Sequence, residues 1–291
     1  VNPDEIFLLE EAVRSVYKKY GPKRGSRTDN GKLEPIVSFT HDTSEQFMNR
    51  RQEQLQKYQN EVGADGKQLY FPWAAKTYTP TALENMVRQW HSEEFVFKLM
   101  DFTAKQSGIT YSRVGMFRSD AFYMTPIDIA TTDTQQGVID TRNRFFVTAP
   151  FALYPVNDRM VYGPYEAVKV WATKRFDLLE ERAKLQTEPG YTMHSERFMK
   201  GSVFPAMEML GYEQAVNPDI CFSRTRADES TLVTDCVTAG TTRNWSGVNS
   251  KSLVESIVGK RCKSFQMGAK WKFVGCGENK DYSSGRETGW L

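Results

Sequence analysis

Apolar residues recur at helical spacing over several stretches of the chain, with short β-like runs between them. Within 4–20, Ile6, Leu9, Val13 and Val16 form one stripe, with acids early and Lys18 and Lys19 late, as a helix dipole prefers. Gly21-Pro22 ends it. The polar stretch 44–60 keeps a thin stripe of Phe47, Arg51, Leu55 and Tyr58, which predicts an exposed helix or a segment ordered by a ligand. The strongest pattern is 82–106, where Leu83, Met86, Val87, Trp90, Phe97, Met100 and Ala104 share a face. Thr81 is placed to cap that helix and Gly108 to stop it. Pro164 opens another helix with Tyr165, Val168, Trp171, Ala172 and Leu179 on one side. Ser195 caps a further one, which runs to Gly211 with Pro205 as its kink.

Strands are predicted at Ile36–Thr40, Val114–Phe117, Phe145–Thr148, Ile220–Arg226 and Trp271–Val274. Strands alternating with amphipathic helices give an α/β layered fold, whose ligands collect beyond the carboxyl ends of the strands. That rule directs attention to Asp120, Asn157, Asp158 and Glu196, all at element boundaries. From Asp228 onward the chain turns Gly/Ser/Thr-rich, apart from a short helix near 250–259. The expected organisation is an α/β domain over 1–226 and a loop-rich, cysteine-containing extension over 227–291 packed on it.

Composition narrows the classes. Of 291 residues, 40% are hydrophobic and 25% charged, the profile of a globular protein. With 38 Lys+Arg against 36 Asp+Glu there is no basic excess of the kind nucleic-acid binding needs. No apolar run is long enough to cross a bilayer. The chain starts at Val1 rather than Met, which leaves room for an upstream signal, anchor or domain. Aromatic residues make up 13% of the chain, as pocket walls or as core. Phe117 is expected in the core, and Tyr123, Tyr154 and Tyr162 are expected to meet a ligand ring.

Cys221, Cys236, Cys262 and Cys276 contain no C-x-x-C and no neighbouring His, which argues against structural zinc. Two disulfides in an oxidising lumen fit the even count, with Cys221–Cys236 and Cys262–Cys276 as one possible pairing. Four reduced core thiols in a cytoplasmic protein are the alternative. The sequon Asn244-Trp245-Ser246 tips the balance towards the secretory pathway.

Phosphate-binding glycine loops, G-x-S-x-G and H-E-x-x-H are absent, and only three histidines occur, His41, His91 and His194. Carboxylates are therefore the candidate chemical groups. Asp120, two residues after Arg118 at a strand end, is placed to hold a divalent ion, or else forms a salt bridge that fixes its loop. Glu196, in the first turn of its helix, is a general base or a capping acid.

Asn85-Met86, Gln89-Trp90, Arg118-x-Asp120, Asn157-Asp158-Arg159-Met160-x-Tyr162-Gly163, His194-Ser195-Glu196-x-Phe198 and Cys221-Phe-Ser-Arg224 occur in that order. Over roughly 80–226 this resembles nucleotide-sugar-dependent glycosyltransferases of the GT-A type, among them glycosyltransferase-like proteins of algae, protists and large viruses. The resemblance implies a Rossmann-like sheet with helices on both faces and an irregular C-terminal segment. It implies transfer of a sugar from a nucleoside diphosphate sugar donor to a hydroxyl of a glycan or glycoprotein acceptor, in the Golgi lumen, with Mn²⁺ or Mg²⁺. Arg118, Asp120, Asn157, Arg159 and Tyr162 would hold the donor, with Asp120 on the metal, and Glu196 and Asp158 would be catalytic. The chain lacks a plain Asp-x-Asp, so Asp120 would hold metal with one side-chain partner or act without metal. The alternatives are a non-catalytic carbohydrate- or protein-binding domain on the same fold and, less well supported by so few His and clustered Asp, a metal-dependent phosphodiesterase-like hydrolase.

Overall fold

A computed structural model describes residues 11, 40, 42–70, 79–123, 127–129, 143–149, 156, 158–185, 194–217, 220, 222–225, 230–232, 263–267 and 270–274. The first predicted helix apart from Glu11, the predicted strand 36–40 apart from Thr40, Tyr154, Asn157, the sequon, the helix near 250–259 and all four cysteines lie outside them.

The chain is a mixed α/β protein. Helix α1, Ser44–Asn60, starts from a capping box: Gln46 N donates to Thr43 Oγ1 at 3.2 Å and Thr43 N to Gln46 Oε1 at 2.8 Å. Its predicted apolar stripe is real, with Phe47, Leu55 and Tyr58 buried. Helix α2, Pro80–Gln106, begins with proline in its first turn, so its N-cap is Thr79 rather than Thr81. It ends in left-handed Gly108, φ +65°. The helix expected after Pro164 is two, α3 (Tyr165–Thr173) and α4 (Arg175–Leu185). His194, not Ser195, is the N-cap of α5 (Ser195–Phe198). A π-helical turn at Met199–Val203 then leads into α6 (Phe204–Glu208), so the irregularity comes one turn before Pro205.

Strands β1 (Arg113–Phe117), β3 (Phe145–Thr148), β4 (Met160–Pro164) and β5 (Glu213–Val216) form a mixed sheet in the order β1-β4-β3-β5. β4 is antiparallel to both neighbours, and β3 and β5 are parallel. The sequence pattern does not mark β4, because it is buried along its whole length and shows no alternation. Its residues still alternate between two cores: Val161 packs with the helices, and Met160 and Tyr162 with the opposite face. On the helical side Trp90, Phe97, Val168, Trp171 and Phe198 close over Val114 and Phe146. On the other side Val147, Met160 and Tyr162 meet Tyr123, Ile220 and Phe222. Among the described residues, helices therefore cover one face of this sheet rather than two. Tyr123 and Phe222 lie on β2 (Ala121–Tyr123) and β6 (Phe222–Thr225), which pair antiparallel. Beyond them the second sheet continues through β7 (Ser230–Leu232), β9 (Lys270–Val274) and β8 (Lys263–Met267), so it spans residue 226. No helix among the described residues is long and apolar enough to cross a membrane.

Gly163 sits where β4 passes closest to β3. A Cβ there would stand 2.8 Å from both Phe145 O and Phe146 Cα, backbone atoms that cannot swing away. Gly163→Ala is expected to lose about 1–3 kcal/mol in urea unfolding, the usual cost of forcing extra volume into a packed core. Wild-type stability would show that β3 and β4 do not meet in this register.

Candidate functional site

Strand register assembles the site. Phe117 lies opposite Met160, so the residues just after β1 emerge beside those just before β4. Arg118 N donates to Arg159 O at 3.1 Å, and Ala121 N to Arg118 O at 3.2 Å, closing a tight turn that folds Asp120 back onto Arg118. The contact is bidentate: Arg118 Nε donates to Asp120 Oδ1 at 2.8 Å and Nη2 to Oδ2 at 2.6 Å. The third guanidinium nitrogen, Nη1, donates to Gln89 Oε1 at 2.9 Å and lies 3.9 Å from Asp158 Oδ2.

Behind this pair lies a buried network. Asp158 Oδ1 accepts from Arg159 Nη1 at 3.2 Å, and Asp158 Oδ2 accepts from Ser195 Oγ at 2.6 Å. Glu196 Oε1 stands 3.7 Å from Arg159 Nη1, and its Oε2 stands 3.5 Å from His194 Nδ1. On α2, Gln89 Nε2 donates to Glu93 Oε1 at 3.0 Å, one helical turn away. Glu93 Oε2 meets Arg175 Nη1 at 2.7 Å, a close ion pair without hydrogen-bond alignment. Arg175 is fixed from below: its Nε donates to Trp171 O at 2.9 Å and its guanidinium lies 4.0 Å from the Trp171 ring.

Burial and charge act in opposite directions on these groups. Burial pushes the Glu93 carboxyl up to about 7, against the pull of Arg175 and the Gln89 hydrogen bond. Burial also pushes on Asp158, but the guanidinium groups of Arg159 and Arg118 and the Ser195 hydroxyl outweigh it and hold this carboxyl below its ordinary value. His194 is shifted down by burial and by nearby Arg197.

A groove of about 700 Å³ opens between the start of α1, one face of α2 and the end of β1. Gln89, Glu93, Phe117, Arg118 and Asp120 line it. The Asp120 side chain is 40% exposed at its rim, whereas Asp158, Arg159 and Glu196 are buried. The α1 wall is held by charged contacts: Arg51 pairs with Glu94, Arg51 Nε donates to His91 Nδ1 at 3.1 Å, and His91 Nε2 lies 2.7 Å from Asp42 Oδ2.

No family model, no curated protein and no solved structure matches this chain. The geometry alone therefore weighs the expectations. Arg118, Asp120, Asp158, Arg159 and Glu196 come together, although they derive from three separate segments. Tyr162 does not join them. It is 0% exposed in the core behind the sheet, where its hydroxyl accepts from Asn217 Nδ2 at 3.4 Å. Phe117, expected in the core, is 43% exposed at the groove. Tyr123 packs its ring edge-on against Phe117 and donates from its hydroxyl to Arg159 O at 3.1 Å, so it braces the site from behind. The Arg118–Asp120 salt bridge, foreseen as the structural alternative for this pair, is present.

Among the described residues, the arrangement around Asp120 leaves no open set of oxygen ligands for a divalent ion. Mg²⁺ and Mn²⁺ take shells of oxygen ligands. Both Asp120 oxygens are engaged by Arg118, and the next carboxylate, Asp158, is enclosed by Arg159, Arg118 and Ser195.

Gln89, Glu93 and Arg175 are not among the functional residues expected from the sequence, yet the sequence carries a signal for two of them. Glu93 falls between Trp90 and Phe97 in the apolar stripe of α2, and Arg175 falls between Ala172 and Leu179 in the stripe continued from α3. Two opposite charges, each at a position where the helical period demands an apolar residue, are the signature of a buried ion pair.

Proposed function

We propose that this chain is a GT-A-type glycosyltransferase, moving a sugar from a nucleoside diphosphate sugar to a hydroxyl of a glycan or glycoprotein. The observation that carries the reading is the Arg118–Asp120 pair at the end of β1, open to the groove on one side and joined to Asp158, Arg159 and Glu196 on the other. Paired with each other, Arg118 and Asp120 present N–H donors and carboxylate lone pairs to substrate hydroxyls at the rim. The parallel β3–β5 pair, with helices in the connection between them, supports the α/β sheet that this reading needs.

One observation favours a second reading, a non-catalytic carbohydrate-binding module. Glu196, the candidate base, is enclosed beside Arg159 and His194 and does not line the groove. Release of UDP or GDP from nucleotide sugars separates the two, since a binding module releases none. In a transferase, Asp120→Asn is expected to abolish turnover. Glu196→Gln is expected to lower kcat by about 10²–10⁴-fold while sparing donor affinity, the range for loss of a general base. Parallel assays with EDTA and with Mn²⁺ read metal dependence. Wild-type turnover in both variants would remove Asp120 and Glu196 from the mechanism.

A further inference from the structure

We infer that the groove between α1, α2 and the end of β1 is a subsite for a neutral, polyhydroxylated ligand, one or more sugar rings of the acceptor, stacked on Phe117 and hydrogen-bonded by Asn85, Gln89 and the Arg118–Asp120 pair. The assignment to an acceptor rests on the transferase reading; the assignment to a carbohydrate rests on the groove alone.

Charge is the first argument. Each ionised group in the groove has its own counter-charge: Arg118 with Asp120, Arg88 with Glu84, Asp42 with Arg50, and Glu93 with Arg175. Among the described residues, no cationic excess remains to hold a diphosphate, and no open set of carboxylates remains to hold a cation. A paired guanidinium and carboxylate side by side still suit an alcohol. A hydroxyl both donates and accepts, so neighbouring hydroxyls can bridge an Asp120 oxygen and a guanidinium or amide N–H.

Polar groups on α2 are placed to meet such a ligand. Asn85 and Gln89 lie one turn apart on α2 and both line the groove. The Asn85 side chain has no hydrogen-bond partner among the described residues and is exposed, so both its donors and its acceptor remain for a ligand.

The aromatic rings point to the same ligand. Phe47 carries the Arg88 guanidinium 4.1 Å from its centroid, and Phe95 carries stacked His91 at 5.6 Å and Arg50 at 5.0 Å. Phe117 meets Tyr123 edge-on, at 5.3 Å and 85°, and is 43% exposed. A flat nucleobase is best gripped between two ring faces. An exposed ring at a groove that also carries amide side chains instead suits a sugar ring, apolar on its C–H side and polar around its edge.

Calorimetric titration with short neutral gluco-, manno-, galacto- and xylo-oligosaccharides tests the assignment, with UDP and GDP as parallel arms. Saturable binding is expected for at least one oligosaccharide series. Phe117→Ala and Asn85→Ala are each expected to weaken it by about tenfold or more, the scale of one stacked ring or one hydrogen bond. Asn85→Ala lies on an exposed helix face and keeps the fold, so it holds the test open if Phe117→Ala melts early. Met209→Ala, on an exposed turn outside the groove, should bind as wild type. The inference is overturned if no oligosaccharide saturates the wild-type protein, or if UDP or GDP is the ligand these two variants lose. Oligosaccharide binding without any release of UDP or GDP from nucleotide sugars overturns the transferase reading and leaves the subsite standing.

Discussion

Asp158→Ala is expected to lose about 3–5 kcal/mol of unfolding free energy, the scale of breaking a buried ion pair by removing one partner. The carboxylate is 4% exposed and is shared by Arg159 at 3.2 Å, Arg118 at 3.9 Å and the Ser195 hydroxyl at 2.6 Å. Without it the buried Arg159 guanidinium loses this carboxylate, and guanidinium cannot shed its charge. Glu196, at 3.7 Å from Arg159, is too far to replace the lost hydrogen bonds. Ser195→Ala removes one bond to a charged acceptor and should cost about 1.5–3 kcal/mol. The acid limb carries a second signature. Because the folded carboxyl sits below its ordinary value of 3.8, its stabilising contribution is complete above that pH and is lost as pH falls through the folded value. Urea midpoints of wild type and Asp158→Asn should therefore converge progressively below about pH 4. An Asp158→Ala variant within about 1 kcal/mol of wild type would mean that the arginines find other partners at no cost.

Much of this architecture is written in periodicity. The α1 stripe of Phe47, Leu55 and Tyr58 and the long face of α2 are legible because each helix buries one side only. β4 is not, because a strand buried on both faces loses the alternation that marks a strand, and its Gly163-Pro164 ending reads as a turn. The site divides in the same way. Asp120, Asp158 and Glu196 stand out as carboxylates at element ends, and strand register does bring Asp120 and Asp158 around Arg118. Which aromatic rings face solvent is not legible. Phe117 and Tyr162 exchange their expected places because register alone decides which end of a strand opens on a groove, and register depends on β4, the strand the pattern conceals. The charges inside apolar stripes, Glu93 and Arg175, tie the groove wall to the core, so the open side of the site and the stability of the molecule are parts of one network.

That coupling makes Glu93 a titrating group that touches both the groove and the core. Its folded carboxyl is pushed up to about 7 from an ordinary 4.5, first by burial, with the Asp158 carboxylate adding to it and Arg175 opposing. Between those two values the folded chain keeps a proton that the unfolded chain has released. Stability from this group is thus complete below about pH 4.5, falls as pH rises, and levels off above about 7. Set against Glu93→Gln, which cannot titrate, wild type should lose on the order of 3 kcal/mol across that window. Taking the difference between the two proteins cancels His194, whose lowered value acts with the opposite sign as pH rises towards 6.5. A second variant fixes the cause. Arg175→Met removes the guanidinium 2.7 Å from Glu93, which opposes burial more than Arg118 does, so the decline should extend to higher pH rather than disappear. Urea unfolding from about pH 4 to about pH 9 reads all three. A wild-type profile parallel to that of Glu93→Gln would show that Glu93 stays ionised against Arg175 throughout, and that the groove wall carries a fixed ion pair instead of a proton that comes and goes near neutrality.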